Sequence, residues 1–579
     1  MRINSVTRQS AGRKTVLVPT GLLRHALLIA FLVLAPALSP VRCRAQDTRP
    51  TYTVSGIVEN SLTHQPISRA LVEAGSDAVL TNSEGRFELH LPAGMSSLNA
   101  RRPGYQSDPS FSRGNMRLMN VTEGLAPVTI TLTPDAILTG LVTLSGGDDP
   151  EGIQFVLYGR RVFNGHSRWM QMSNANTGSD GTFHMQLSPG SYVLCAMPSP
   201  DRIPATGHAE IVWGYAPACY PGGTDPATAM AAPLSVSSGQ QAQLEISLAR
   251  QPFYPVSISI PNGKENPLVF PQVFDLSGRP VGFAGRRDQQ SESMQYYLPN
   301  GSFYAEARSR GSSPGGTMLY GKTDFTVAGA PLPSIAVVPT PVPTIPVEVH
   351  EEFTATPAPG QGAASSDVVM RGDQPPVQFT LTPVDRPFDG EMGVQFKRVQ
   401  GSSESLYEMV PPGQGTYRLN IQPFGPYYAT SITSGGTDLL QEPLVIGPGN
   451  AAPPIEITLR NDMGFLECTA KTTPSDPSTS NFTTPQFAPI FVSAISLGSG
   501  QHRVYTTVAQ LPTGGKIPLP LPPGNYLVLA FEKDQEIDLD NADAFSRLSS
   551  QGQTVTIQPG ATAQLQVDPI HSTDEGSGQ

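Results

Sequence analysis

No acidic side chain occurs in the first 45 residues, and nothing later in the chain approaches the roughly twenty apolar residues that a membrane-spanning helix needs. That opening stretch holds Arg2, Arg8, Arg13, Lys14, Arg24, Arg42 and Arg44 around an apolar run, Ala26 to Leu38, too short to span a bilayer comfortably. Cys43-Arg44-Ala45 offers small residues at the −3 and −1 positions of a signal-peptidase site, which predicts a leader over 1–45 and a mature start at Gln46. An uncleaved anchor is the alternative. A lipid on Cys43 is disfavoured, because Val41-Arg42 is a poor approach to it. Losing these seven positive charges takes the formal net charge from −11 to −18, a poor balance for binding nucleic acid. Export by the general secretory route to a periplasm, cell surface or medium is the expected localisation, with no membrane span in the mature chain.

Metal-binding and catalytic patterns are also scarce. None of the 9 histidines sits in a His-Glu-x-x-His or His-x-x-Glu arrangement; His350-Glu351-Glu352-Phe353 fails at its last position. His184, Cys195, His208 and Cys219 lack the close ligand pairs of a structural zinc site. Gly316-Thr317-Met318-Leu319-Tyr320-Gly321-Lys322-Thr323 fits the phosphate-loop pattern, but a loop precedes it and a strand pattern follows, where a helix N-terminus is required. Gly311-Ser312-Ser313-Pro314-Gly315 fits the nucleophile-elbow pattern, yet Pro314 has no N–H to serve an oxyanion. Asp534, Glu536, Asp538, Asp540 and Asp543 lack the glycine and terminal glutamate of a calcium loop and read as a solvated acidic edge. Arg371-Gly372-Asp373 is too short to carry weight. No catalytic residue, cofactor or metal is therefore expected, and the chain reads as a non-enzyme.

Turn residues are abundant, with 56 Gly and 58 Pro, a punctuation that suits short strands. One turn-and-strand unit recurs five times: Leu91-Pro92-Ala93-Gly94, Leu187-Ser188-Pro189-Gly190-Ser191-Tyr192, Leu298-Pro299-Asn300-Gly301-Ser302-Phe303, Val410-Pro411-Pro412-Gly413-Gln414-Gly415-Thr416-Tyr417 and Leu521-Pro522-Pro523-Gly524-Asn525-Tyr526. Proline presets the first corner, glycine supplies the positive φ, and an aromatic-led strand follows. With the glycines taken at 94, 190, 301, 413 and 524, the steps are 96, 111, 112 and 111 residues. That spacing is domain-sized and predicts five tandem modules. The expected fold is all-β, an array of about five Greek-key β-sandwiches over 46–134, 135–250, 251–344, 345–460 and 461–570, with a disordered tail at 571–579. Pro339-Thr340-Pro341-Val342-Pro343 reads as a stiff extended connector, and Asn541 to Ser549 as one short helix.

The first module is the most detailed. Val54-Ser55-Gly56-Ile57-Val58 opens it with a glycine where something packs closely; Pro66-Ile67 through Ala70 and Val72 continue it. Thr81-Asn82-Ser83-Glu84-Gly85-Arg86-Phe87 reads as a hairpin with Gly85 left-handed, then come Leu91-Pro92-Ala93-Gly94 and Gly104-Tyr105. This succession resembles the carboxypeptidase regulatory-like domain family, transthyretin-like sandwiches of the carbohydrate-binding-like fold. In the second module Ile137-Leu138-Thr139-Gly140-Leu141-Val142 and the expected hairpin Ser179-Asp180-Gly181-Thr182-Phe183 repeat it in part. The resemblance implies a non-catalytic sandwich of surface and envelope proteins.

Cys195 and Cys219 share the second module, so an oxidising compartment predicts a disulfide between them; two buried free thiols are the alternative. Cys468 is left without a partner. Both tryptophans, Trp169 and Trp213, lie here with Tyr215 and Tyr220, in or near the aromatic loop Trp213–Gly223. A planar ring on a sandwich can stack on a sugar, which makes these four the candidate carbohydrate-stacking residues. The competing account puts Trp169 in a core with Met170 and Met172, and Tyr220 under the Pro221-Gly222 turn. Binding of carbohydrate or another cell-surface polymer is thus one expected function. A structural spacer or protein–protein assembly module without a small ligand is the other.

Overall fold

The computed structural model describes residues 50–570, apart from 108–116, 126, 198, 201–210, 224–225, 262–268, 282, 289–292, 310–317, 354–376, 400–405, 424–426, 448, 450, 471–489, 499–502, 510–515 and 533–534. The leader, the nucleophile-elbow match, Arg371-Gly372-Asp373, His208, Asp534 and the tail lie outside these. Among the described residues the strands form ten sheets, and no helix is long and apolar enough to cross a membrane. The chain is all-β, built as sandwiches with apolar cores between paired sheets.

One strand plan recurs around the five largest cores. The opening strands are Thr51–Asn60, Ala136–Leu144, Arg250–Ser259, Ile345–Glu352 and Gly464–Ala470. Each pairs antiparallel with the strand that runs into the Pro-Gly turn: Arg86–Pro92, Thr182–Leu187, Ser293–Leu298, Leu406–Val410 and Lys516–Leu521. On its other side each pairs in parallel with a closing strand: Val128–Pro134, Gln241–Leu248, Leu332–Ala336, Ile455–Arg460 and Thr562–Val567. We call the resulting two-sheet bodies the first to fifth units.

The Pro-Gly turn is where the chain leaves one sheet for the facing one. The strands after it, Gly94–Arg101, Gly190–Ala196, Gly301–Ser309, Gly415–Pro423 and Gly524–Phe531, all belong to the second sheet of their unit. Their first residues have φ of 115°, 153°, 154°, 152° and 157°, which a side chain at Cβ would oppose. In four units the aromatic two residues on lies over this glycine, and its hydroxyl can tie the corner. Tyr192 Oη donates to the Ser188 carbonyl at 2.6 Å, and Tyr526 Oη to that of Pro522 at 2.7 Å. In the fourth unit this position is held by Gly415 and not by Gly413, because Tyr417 packs on Gly415. Gly413 instead abuts the ring of Tyr320 in the third unit.

Three local expectations are corrected. The Asn82–Gly85 and Ser179–Gly181 turns are not hairpins, since the strands on either side of each lie in facing sheets. Gly85 and Gly181 are left-handed, at 72° and 75°, and the Asn82 side chain accepts from the N–H groups of Glu84 and Arg86, chemistry that serves an inter-sheet turn equally well. The 339–343 segment is extended but is no free spacer: Thr340–Pro341 pairs with Leu319–Tyr320, and Val342 N–H donates to the Met318 carbonyl. Gly56, by contrast, has the expected close neighbour, because Phe87 lies against it, and Phe183 lies against Gly140 in the same way.

Candidate functional site, an interface between units

The four candidate stacking residues do not share a face. The aromatic loop is two short strands in two different sheets. Val212–Tyr215 pairs with the third unit's opening strand, whereas Ala218–Tyr220 pairs with Gly190–Ala196 of the second. Tyr215 is buried in the second unit's core and donates to Asp148 Oδ2 at 2.6 Å, and Tyr220 packs against the same core. Trp169 is partly buried against a separate cluster that includes Tyr158, Cys195, Cys219 and Phe388. Only Trp213, 51% exposed, offers a free ring.

Cys195 and Cys219 form the disulfide, joining directly opposed residues of two antiparallel strands. It lies at a junction of units. Arg279 of the third unit, 2% exposed, donates from Nη1 to Cys219 Sγ at 2.9 Å and from Nε to Asp275 Oδ2 at 2.9 Å. Phe388 of the fourth unit reaches the same cluster, with its ring 4.2 Å from that of Tyr158. Burial pushes the Tyr158 hydroxyl up to about 12, so it remains a neutral donor.

A buried ionic seam joins the third and fourth units. Glu306 is 4% exposed and accepts from Arg308 Nη2 at 2.6 Å, Tyr320 Oη at 2.8 Å and Arg386 Nη1 at 3.2 Å. Arg386 comes from the loop after Val377–Pro383 in the fourth unit and also contacts Asp389 at 2.9 Å and Tyr417 Oη at 3.1 Å. Burial raises Asp389 above the usual carboxylate range, and Arg386 offsets this only in part. A carboxylate shared between two guanidiniums and a phenol fixes the relative position of the groups that carry them.

Two further contacts start from the second unit's long hairpin, Gln154–Phe163 and His166–Asn176. Its turn is Asn164-Gly165, with φ of 51° and 87°, the left-handed pair of a type I′ turn. Arg168 pairs with Glu391 of the fourth unit at 2.9 Å. Against the upward push of burial, hydrogen bonds from Thr380 and Arg168 hold Glu391 below its ordinary range. The hairpin tip meets part of the acidic run of the fifth unit: Asp538 is only 15% exposed there, whereas Glu536, Asp540 and Asp543 keep the exposure expected of a solvated edge. Arg160 pairs with Asp538; His166 Nδ1 lies 2.9 Å from Asp540 Oδ1; Ser167 N–H donates to Asp540 Oδ2 at 3.0 Å; and Leu539 N–H donates to the Gly165 carbonyl at 2.7 Å.

The remaining sequence candidates place as follows. Gly321, Lys322 and Thr323 of the phosphate-loop match lie within the strand Leu319–Val327, where Lys322 sits 4.4 Å from the Tyr304 ring centroid. Among the described residues no group of three or more His, Cys, Asp or Glu could hold a metal ion.

No family model matches this chain, and no curated protein matches it. Among solved structures, the Bacillus anthracis TIE protein is similar at 14% identity over 50% of this chain, with a TM-score of 0.16, and about half (51%) of that protein's length is covered. A streptococcal ancillary pilin is similar at 12% identity over 50% of this chain and 100% of that one, with a TM-score of 0.17. The major pilin subunit of Bacillus cereus is similar at 10% identity over 75% of this chain and 99% of that one, with a TM-score of 0.13. At such scores neither function nor partner passes from those proteins to this one.

Proposed function

We propose that this chain is an exported, non-catalytic structural or assembly protein whose five β-sandwich modules, 46–134, 135–250, 251–344, 345–460 and 461–570, act through their mutual packing. The observation that carries this reading is the Glu306–Arg386 contact, buried on both sides and spanning two units. A spacer made of independent beads has no need to bury charge between beads, because taking an ion out of water costs several kcal/mol unless its partner is fixed. The disulfide and the basic leader of the sequence support export.

A carbohydrate or other surface polymer as ligand is the second reading, favoured by the exposed ring of Trp213. Titrating the mature chain with a panel of soluble glycans while following tryptophan fluorescence separates the two. The assembly reading expects no saturable shift. A saturable shift abolished by Trp213→Ala, in a variant that keeps its circular dichroism, would replace it with glycan binding.

A further inference from the structure

The disulfide lies on the side of the second unit's sheet that is turned away from that unit's core. Residues alternate along its two central strands: Leu157 and Leu194 belong to the core, whereas Tyr158, Val193 and Cys195 belong to the separate cluster that Phe388 joins. The outward face of a lone sandwich meets water, yet here Cys195 is 0% and Cys219 2% exposed. Part of the cover is the unit's own, from Ala229 of the short helix Pro226–Ala231 and from Trp169. The rest comes from two other units, as Arg279 over Cys219 Sγ and Phe388 over Tyr158. These two covers are joined, because Phe388 N–H donates to the Ser277 carbonyl, and Asp275 accepts from both Ser277 N–H and Arg279 Nε.

We infer that the disulfide and the docking of the third and fourth units on the second are coupled: the docked junction shields the disulfide, and reduction of the disulfide by a dithiol releases the junction. This deepens the assembly reading and rests on it. Reduction is thiol–disulfide exchange. A thiolate of the reductant attacks one sulfur, the Cys195–Cys219 bond breaks, and the reductant's second thiol displaces the first. The protein gains two thiols, and the reductant leaves as its cyclic disulfide. That attack needs a line of approach to a sulfur, which Arg279 and Phe388 close. The coupling runs equally in the other direction, because the factor by which docking resists reduction is the factor by which the disulfide favours docking. Its structural route is short. Ala218–Tyr220 is held to Gly190–Ala196 by three residue pairs, and Val212–Tyr215, just before it, pairs with the third unit's opening strand. Breaking the bond loosens the strand that carries the sulfur under Arg279 and that anchors the strand lent to the third unit.

The test titrates the mature chain with mixtures of reduced and oxidised dithiothreitol. Alkylation read peptide by peptide follows Cys195 and Cys219 and keeps Cys468 apart. Relative to the parent, the Arg279→Ala, Phe388→Ala chain is expected to reach half-reduction at a reduced-to-oxidised ratio about tenfold lower or less. Phe388→Leu, which keeps an apolar side chain, is expected to move the same way by a smaller factor. In the parent, hydrogen exchange of the peptides that carry Arg279 and Phe388 is expected to rise on reduction and to fall again on reoxidation. Equal half-reduction ratios in the parent and in the variants that keep its circular dichroism would overturn the inference. So would exchange at those two peptides that complete reduction leaves unchanged. Either result leaves the assembly reading to its own glycan titration.

Discussion

Arg386 of the fourth unit and Glu306 of the third meet at 3.2 Å with side chains only 5% and 4% exposed. Glu306 also serves Arg308 and Tyr320, so one carboxylate is shared by two guanidiniums, of which Arg386 has Asp389 as a further partner. Glu306→Gln keeps the shape and removes the charge, taking the carboxylate from Arg308 and leaving Arg386 to Asp389 and Asp385. The expected loss is about 3–5 kcal/mol in urea unfolding of the third and fourth units. A loss below about 1 kcal/mol would mean the seam is solvated in solution.

The corner tyrosines give a graded prediction. Tyr526→Phe removes the donor to the Pro522 carbonyl and is expected to cost about 0.5–1.5 kcal/mol. The third unit already has Phe303 at this place, so Phe303→Leu tests packing over Gly301 without any hydroxyl. Thermal unfolding of the two variants separates the tie from the ring.

Gly140→Ala would drive a methyl group into the ring of Phe183. That strand is paired on both sides, by Thr182–Leu187 and Gln241–Leu248, so the backbone has little room to yield. About 1–3 kcal/mol of destabilisation is expected from overpacking. Unfolding of Phe183→Leu/Gly140→Ala against each single variant would show the coupling, since the smaller side chain relieves the clash.

Cys468 is fully buried, and burial raises its thiol from 9.0 to about 11. The folded state therefore holds the proton more tightly than the unfolded state does. This contribution is complete below about pH 9 and is lost as pH rises toward about 11. Cys468→Ala should flatten the stability profile over that interval. In the native chain the thiol should resist alkylation at neutral pH and react once denaturant is added.

Much of the sandwich plan was legible because its chemistry is local. A proline, a glycine with positive φ and an aromatic two residues on announce the corner wherever they occur, and Gly56 announced its close neighbour. The Gly413 register erred because Val410–Tyr417 contains two glycines, and only the ring of Tyr417 shows which one starts the strand. The Asn82–Gly85 turn was legible as a turn but not as one that changes sheets, since the same hydrogen bonds form in either setting. The interfaces were the least legible. Asn164-Gly165 is a strong hairpin signal, but nothing near it in sequence points to Asp538 or Asp540. Glu306 reads as one more residue in an aromatic-led strand until Arg386 is brought to it.

The central claim is that the units are joined through buried interfaces and are not separate beads. Differential scanning calorimetry of the mature chain, with Glu306→Gln alongside it, tests this most directly. The account predicts that the third and fourth units unfold in one transition, which the substitution moves to lower temperature or splits in two. Separate transitions in the parent chain that the substitution leaves in place would contradict it.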